Sequence, residues 1–177
     1  MSLNNIIYRV VEVDSVGVRL IRNSFNTSTN FEGVTFDDDS NNYNIDSGIG
    51  SVLNNTIFYN LYSPYANSIR TTVWYQGSAG TDSYKLTNLA KTNLIYSVKL
   101  GIPKLAELFT IPIGTNEYWT MTKADDNSKL YTVASDGVKI ADYNTTKYVR
   151  ETFVISKDLP VTRGSGTSSD PYVVIPA

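Results

Sequence analysis

The chain has 177 residues, a formal net charge of −2, no cysteine and no histidine. It therefore lacks cysteine nucleophiles, the usual zinc ligands and the usual general base near neutral pH, which excludes most hydrolase and metalloenzyme mechanisms. A chain of this length is typical of one domain, so we expect residues 1–177 to form a single domain. The 15 basic residues are scattered, which predicts no nucleic acid partner.

The sequence also indicates where the protein is located. No apolar run approaches the roughly 20 residues that span a bilayer, so we expect no membrane insertion. The opening residues MSLNN lack the basic and apolar regions of a secretory signal, and a leader trimmed from the natural chain would leave such a start. A composition that is 18% charged, rich in Asn, Ser, Thr and Tyr and free of cysteine is typical of secreted Gram-positive proteins. We therefore expect a secreted or cell-surface protein.

The first third of the chain is predicted to open with a β-hairpin. Ile6–Val13 (IIYRVVEV) alternates and is rich in β-branched residues, and Val18–Arg22 (VRLIR) returns after a four-residue turn. Residues 23–50 are rich in Asn, Asp, Ser and Thr, which predicts a long irregular surface excursion. Val52–Tyr62 places apolar residues near helical spacing before Pro64, which predicts the first helix.

The remainder of the chain is predicted to be mostly β structure. Residues 71–75 and 96–100 are β-branched and aromatic runs, which predict strands. Residues 102–109 carry Pro103 in a first-turn position, followed by apolar residues, which predicts a second short helix. Further short strands are predicted at 118–122, 129–134, 138–141 and 148–156.

The stretch GSGTSSDPYVV, residues 164–174, resembles a glycine-rich phosphate loop in composition. A phosphate loop leads from a strand into a helix and usually carries a lysine. Here Pro171 is followed by the strand signature YVVI, and too few residues remain for a helix. We therefore predict a turn that delivers a last strand to the sheet, so that N- and C-terminal strands pair.

Nine segments, in this order, resemble a domain found in secreted and surface-attached proteins of Firmicutes and their phages. They are Tyr8-Arg9-Val10-Val11, Leu20-Ile21-Arg22, Leu53-Asn54-Asn55-Thr56, Trp74-Tyr75-Gln76-Gly77, Gly101-Ile102-Pro103, Tyr118-Trp119-Thr120-Met121-Thr122, Asp136-Gly137, Val149-Arg150 and residues 164–174. That family is similar to the C-type-lectin-like fold, which includes the formylglycine-generating enzymes and the diversified adhesins of phages. The resemblance implies an α+β, C-type-lectin-like domain with two short helices and mixed, mostly antiparallel sheets.

Two features of the sequence narrow that resemblance. The formylglycine-generating branch depends on cysteine chemistry, and this chain has no cysteine, so the binding branch remains. The family commonly has Val-Arg-Pro where this chain has Val149-Arg150-Glu151. Without the proline, the backbone N–H at position 151 is free to donate a hydrogen bond.

The resemblance also suggests where a ligand binds. In the diversified adhesins, the segment between the tryptophan strand and the Val-Arg motif forms an exposed face that contacts the ligand; here it runs from Trp119 to Arg150. Its proposed ligand-binding residues are Lys123, Asp125, Asp126, Asn127, Tyr131, Tyr143, Asn144 and Tyr148. Tyr offers a large contact area at low entropy cost, and Asn and Asp offer adaptable hydrogen bonds. The alternative is a set of ordinary polar strands and loops, with Trp119 in the core.

Acidic residues raise the remaining possibilities. Asp37, Asp38 and Asp39, with Asn44 and Asp46 nearby, offer oxygen ligands of the kind calcium prefers, but their spacing does not fit an EF-hand. A solvated loop is favoured instead, so we expect no metal site and no cofactor.

The pair of carboxylates that a glycosidase needs could come from Glu107, Glu117, Asp125, Asp126 and Glu151, but nothing in the sequence sets their separation.

These observations predict a non-catalytic extracellular module for binding or adhesion, which recognises a carbohydrate or protein ligand at a cell surface. Two alternatives stay open. The domain is a structural spacer within a larger surface protein, or it is a glycosidase that uses carboxylates.

Overall fold

The computed structural model describes residues 1–24, 33–79, 92–110, 116–124 and 128–176. This part of the chain is mixed α/β, with most strands in antiparallel sheets and one helix. The strands are β1 (Ser2–Leu3), β2 (Ile6–Val13), β3 (Val18–Arg22), β4 (Ile69–Arg70), β5 (Thr72–Gly77), β6 (Thr92–Val98), β7 (Leu100–Gly101), β8 (Tyr118–Lys123), β9 (Lys129–Ala134), β10 (Gly137–Asp142), β11 (Thr152–Ile155), β12 (Val161–Arg163) and β13 (Val173–Val174).

The strands form three sheets. The largest has eight strands in the order β12-β13-β1-β2-β3-β11-β4, with β7 also paired to β11. The second has the order β10-β9-β8, and the third is the pair β5-β6. The predicted hairpin of β2 and β3 is confirmed, and the Asp14 carboxylate closes its turn by accepting the backbone N–H groups of Val16 and Gly17 at 2.7 and 3.0 Å.

The two ends of the chain meet in the large sheet. Ser2 of β1 lies beside Val173 of β13 in a parallel pair, and β13 also pairs with β12. The turn before β13 has Gly164 at φ +103° and Gly166 at φ +85°, left-handed conformations that glycine adopts without steric cost. The Asp170 carboxylate accepts the Ser165 N–H at 2.9 Å. The predicted turn and last strand are therefore confirmed.

One helix, α1, begins at Gly48 and continues from α geometry (Gly48–Ser51) into π geometry (Val52–Tyr62). Its buried residues after residue 51 are Leu53, Ile57, Phe58 and Tyr62, a spacing of four to five that suits the i→i+5 hydrogen bonds of a π-helix. The helix predicted at 52–62 is confirmed, although its π form was not expected.

The second predicted helix, at 102–109, is not confirmed. The structure has only a 3₁₀ segment at Leu105–Thr110. Side chains cap its N-terminal end, because Glu107 Oε2 accepts the Lys104 N–H at 2.7 Å and Thr122 Oγ1 accepts the Leu105 N–H at 3.0 Å. These two backbone donors, which have no partner within a helix, are thus satisfied by side chains.

Residues 33–47 of the surface excursion predicted at 23–50 are irregular, as expected, but they do not all lie at the surface. Phe36 and Tyr43 are buried in the main core, and the Phe36 ring lies 5.7 Å from that of Trp119. Gln76 of β5 holds this segment in place, because its side chain accepts the Tyr43 N–H at 2.9 Å and donates to Asn41 O at 2.8 Å. A few large apolar residues are enough to bury a segment whose composition is mostly polar.

The buried apolar residues form two clusters. The main cluster lies among the large sheet, helix α1 and the inner face of β8, and it includes Trp119 and Phe153. The second consists of Ala79, Leu105, Tyr118, Ala124, Tyr131 and Val133. Within the described residues, no helix has the length and apolar character needed to cross a membrane.

Candidate functional site

The proposed ligand-binding residues do not gather on one face. Asp125, Asp126 and Asn127 lie outside the described residues. Tyr131 is buried in the second cluster and therefore does not belong to an exposed surface. Both faces of β9 are covered, because Leu130 packs in the main cluster and the adjacent Tyr131 in the second, and the residue types of the strand alone do not signal this.

The other proposed residues are at least partly accessible. The Lys123 ammonium is half-buried, which lowers its pKa, and it donates a hydrogen bond to Asn42 Oδ1. Tyr143 is half-buried against the main cluster, and Asn144 is exposed in the turn that follows β10. Tyr148 is half-buried against the second cluster and reaches a surface cavity.

That cavity, called here the polar depression, is open and has a volume of about 420 Å³. It lies between the β9–β10 turn and the segment that carries Tyr148. Its lining is Asn116, Glu117, Ala134, Ser135, Asp136, Lys139, Thr146, Lys147 and Tyr148. Backbone hydrogen bonds fix the position of Tyr148, whose N–H donates to Glu117 O at 3.0 Å and whose carbonyl accepts the Trp119 N–H at 3.3 Å.

Two ion pairs organise the polar depression. Lys147 Nζ lies 2.8 Å from Glu117 Oε2, and Lys139 Nζ lies 2.9 Å from Asp136 Oδ2. The other oxygen of Glu117 accepts the Thr132 hydroxyl at 2.5 Å. Burial by itself would raise the pKa of Glu117, but the hydrogen bonds from Lys147 and Thr132 outweigh it and lower the pKa. The carboxylate is thus held in its charged form, with its orientation set by two partners.

The titration of Glu117 provides a test of this geometry. We expect its carboxyl ¹³C chemical shift to titrate with a midpoint below the ordinary value of 4.5, and Lys147→Met to raise that midpoint. Because the folded pKa is lowered, the stabilisation is present above the ordinary value and is lost as the pH falls through the folded pKa. Lys157→Met, at an exposed lysine outside the polar depression, is the control and should leave the midpoint unchanged. An unshifted midpoint in the native protein would contradict the geometry.

Among the acidic residues of segment 37–46, one differs from the expected solvated loop. Asp38 and Asp39 are exposed, but Asp37 is buried. Its carboxylate accepts hydrogen bonds from the hydroxyls of Ser47 and Ser40, so it ties the start of α1 to the preceding loop. Among the described residues, no group of three or more acidic side chains is placed to hold a metal ion.

The described carboxylates that were considered for glycosidase chemistry are each paired with a different cation. Glu107 Oε1 lies 2.9 Å from Arg19 Nη2, Glu117 pairs with Lys147, and Glu151 Oε1 lies 2.8 Å from Arg22 Nη1. Glu151 is fully buried, so it is closed to a substrate. The other two acids of that set, Asp125 and Asp126, lie outside the described residues.

Glu151 belongs to a buried polar network that sequence reasoning missed. Its Oε1 accepts hydrogen bonds from Arg22 and from the Tyr62 hydroxyl at 2.5 Å, and Tyr62 in turn lies 2.5 Å from the Tyr8 hydroxyl. Burial is the main reason that the pKa of Tyr62 lies well above its ordinary value. The one signal in the sequence was the departure from Val-Arg-Pro at Glu151, which introduces a charge as well as a backbone donor.

No family model matches the chain, and no curated protein or solved structure was found to be significantly similar to it.

Proposed function

We propose that the protein is a non-catalytic extracellular binding module with a C-type-lectin-like fold, which recognises a carbohydrate or protein ligand at the polar depression. The pairing of β1 with β13 and the mostly antiparallel sheets support this fold. The composition described above supports a secreted or surface location. The ordered resemblance to surface-protein domains supports both the fold and the binding role.

The observation that carries the proposal is the lining of the polar depression. It combines an aromatic side chain, Tyr148, with carboxylate, ammonium, amide and hydroxyl groups around one concavity. A sugar ring or a polar peptide surface needs such a combination, since its hydroxyl and amide groups require hydrogen-bond partners of both kinds. The ion pairs of Glu117 and Asp136 position these groups before a ligand arrives, which reduces the entropy lost on binding.

The state of the acids supports a role without catalysis. The described acids that were considered for glycosidase chemistry, Glu107, Glu117 and Glu151, are each held by a cation. For Glu117, the hydrogen bonds from Lys147 and Thr132 lower the pKa, which makes it a poor general acid near neutral pH. This arrangement favours recognition over hydrolysis.

Exposed aromatic residues bear on the choice between a binding module and a spacer. Trp74 and Trp119 are buried, which is expected of a spacer. Tyr75, by contrast, is 40% exposed, and Tyr143 is half-buried. The binding module is favoured because Tyr148 adds an aromatic surface at a concave site.

The test is binding of the purified protein to an array of host glycans and bacterial cell-wall fragments, in calcium and again in EDTA. We expect saturable binding to at least one component. Tyr148→Ala and Lys139→Ala should each weaken it about 5- to 10-fold, the equivalent of one lost hydrogen bond or ring contact. Neither variant should lose the native spectrum, because Lys139 is exposed and Tyr148 is only half-buried.

Matched controls are available at exposed positions outside the polar depression. Tyr59→Ala on α1 and Lys157→Ala before β12 should bind as the parent protein does. If Tyr148→Ala and Lys139→Ala also bind normally, the polar depression is not the site. If the array shows no binding in calcium or in EDTA, carbohydrate recognition is wrong, and a protein ligand or the spacer is favoured.

A further inference from the structure

Strand β10 (Gly137–Asp142) has an outer edge with which no other strand pairs within the described residues. It pairs with β9 along its whole length, without a shift in register. The large sheet, by contrast, ends in β12 and β4, which have three and two residues. Edge strands are often short, because a row of free backbone groups attracts other strands. With six residues, β10 presents a longer edge than either of these strands.

The hydrogen bonds to β9 determine which backbone groups of β10 face outward. The N–H of Tyr143, the residue after β10, donates to Ser128 O at 2.9 Å, which continues the same register. Bonded and non-bonded pairs alternate in an antiparallel ladder, so the odd-numbered residues of β10 also bond to β9. The N–H and C=O groups of Val138 and Ile140 therefore point away from β9, and they have no partner in the part of the chain that the structure describes.

The free backbone groups repeat along the edge as those of an extended polypeptide do. The edge runs from Val138 to the Asp142 N–H, because the Asp142 carbonyl already accepts the N–H and the hydroxyl of Thr145 at 3.0 and 2.8 Å. Outward donors and acceptors recur every second residue, about 6.8 Å apart. Another extended chain offers complementary groups at the same repeat, so the edge is suited to a peptide strand.

One face of β10 continues the second cluster to this edge. Val138 lies opposite Val133 and Ile140 lies opposite Tyr131, and both of these β9 residues belong to the second cluster. Val138 is half-buried against that cluster, whereas Ile140 remains 39% exposed. An added strand with an apolar side chain at every second position would cover Ile140.

Lys139 disfavours a second copy of this chain as the partner. Two β10 strands paired antiparallel about Lys139 would place the two lysines directly opposite each other, and pairing about Ile140 would place them diagonally on the same face. Like charges in these positions oppose pairing, and lysine on an edge strand is a common protection against self-association. The Asp136 carboxylate, 2.9 Å from Lys139 Nζ, is itself exposed and offsets the repulsion only in part.

We infer that the outer edge of β10 binds an extended segment of another protein by strand addition. The segment pairs with the backbone groups of Val138 and Ile140 and places an apolar side chain beside Ile140. The inference does not depend on the proposed ligand of the polar depression, because neither Val138 nor Ile140 lines that cavity.

The experiment is amide hydrogen exchange of the ¹⁵N-labelled protein, alone and with the acetylated, amidated heptapeptide ETVTVTE. In the free protein, we expect the amides of Val138 and Ile140 to exchange about 10-fold faster, or more, than those of Lys139 and Ala141, which bond to β9. Peptide at ten times its dissociation constant should slow exchange at Val138 and Ile140 about 10-fold and leave Lys139 and Ala141 unchanged. The same peptide with its five central amide nitrogens methylated should give no protection, because it keeps the charge and side chains but lacks the donors.

Two variants at one position separate the backbone from the side chain. Ile140→Pro removes an outward N–H without removing a bond to β9, and proline is tolerated on the free side of an edge strand. It should weaken peptide binding about 10-fold or more. Ile140→Thr keeps the N–H and the β-branched shape, so it should bind within about 3-fold of the parent protein.

The contrary outcomes are specific. The inference is wrong if Val138 and Ile140 are protected in the free protein, and protection that disappears on dilution would assign the edge to a second copy instead. It is also wrong if ETVTVTE at about 10 mM gives no protection at these amides. Equal protection by the methylated peptide, or equal binding by Ile140→Pro and Ile140→Thr, would exclude strand addition. If Ile140→Pro loses the native amide spectrum, the two peptides on the parent protein decide the question.

Discussion

Replacing Glu151 with glutamine is expected to lower the free energy of unfolding by about 3–5 kcal/mol. Glu151 is fully buried and Arg22, its partner at 2.8 Å, is nearly so. Glutamine keeps the shape of the side chain but removes its charge, which leaves the guanidinium of Arg22 in a poorly solvated place without a counter-charge. An uncompensated buried charge costs far more than the intact pair contributes.

A double substitution at Arg22 and Glu151 separates the cost of an unpaired buried charge from the loss of the ion pair itself. Glu151 Oε2 has no hydrogen-bond partner in the described structure, so the intact network already carries a desolvation cost. Exchanging both partners, Arg22→Met with Glu151→Leu, should therefore cost less than Glu151→Gln alone. Urea unfolding at neutral pH measures the loss for both variants.

The exposed pair of Lys139 and Asp136 provides the control for these measurements. Its two side chains are 45% and 66% accessible, so Asp136→Asn should leave the urea midpoint unchanged. If Glu151→Gln changes stability no more than Asp136→Asn does, then Arg22 does not depend on Glu151 in the folded protein.

The second large effect is expected at Trp119, where alanine should lower the free energy of unfolding by about 3–5 kcal/mol. The side chain is fully buried, its ring packs edge-on against Phe36, and its Nε1–H donates to Val34 O at 2.7 Å. Alanine would leave a cavity and would remove one of the two hydrogen bonds that Val34 O accepts, the other coming from the Lys147 N–H at 3.1 Å. Thermal unfolding followed by calorimetry would measure the loss, and Trp119→Phe should lose less because it retains most of the packing.

This prediction also separates two interpretations of the tryptophan. If Trp119 belonged to a ligand face, alanine would weaken binding and leave the melting temperature in place. Tyr59→Ala is the matched control, because Tyr59 is 64% exposed and its loss should change stability little. A Trp119→Ala protein as stable as Tyr59→Ala would contradict the core assignment.

The structure shows which parts of the chain were predictable from neighbouring residues. The β2–β3 hairpin and the turn before β13 were correctly predicted, since each depends on groups a few positions apart. In the hairpin, the Asp14 carboxylate accepts two backbone N–H groups of the turn. Before the last strand, Gly164 and Gly166 adopt left-handed conformations and Asp170 accepts the Ser165 N–H. The helix at Val52–Tyr62 was predicted for the same reason, because its apolar residues recur along one short segment.

Features that depend on distant segments were not predictable. Glu151 and Arg22 are 129 residues apart, and neither position signals a partner for the other. The burial of Phe36 depends on Trp119, and the inward direction of Tyr131 depends on what covers β9. For the same reason, the sequence does not show that Lys104 and Tyr75 line one cavity, because this depends on the packing of the segment after β7 beside β5.

The sequence by itself determined the β-rich character of the chain, its hairpin, its last strand and the absence of histidine and cysteine chemistry. Only the tertiary structure decided which polar groups are buried and which side chains share a cavity. The physical reason is the range of the interactions. Turns and strand alternation arise between residues close in sequence, whereas burial and ion pairing depend on which distant surfaces exclude water from one another.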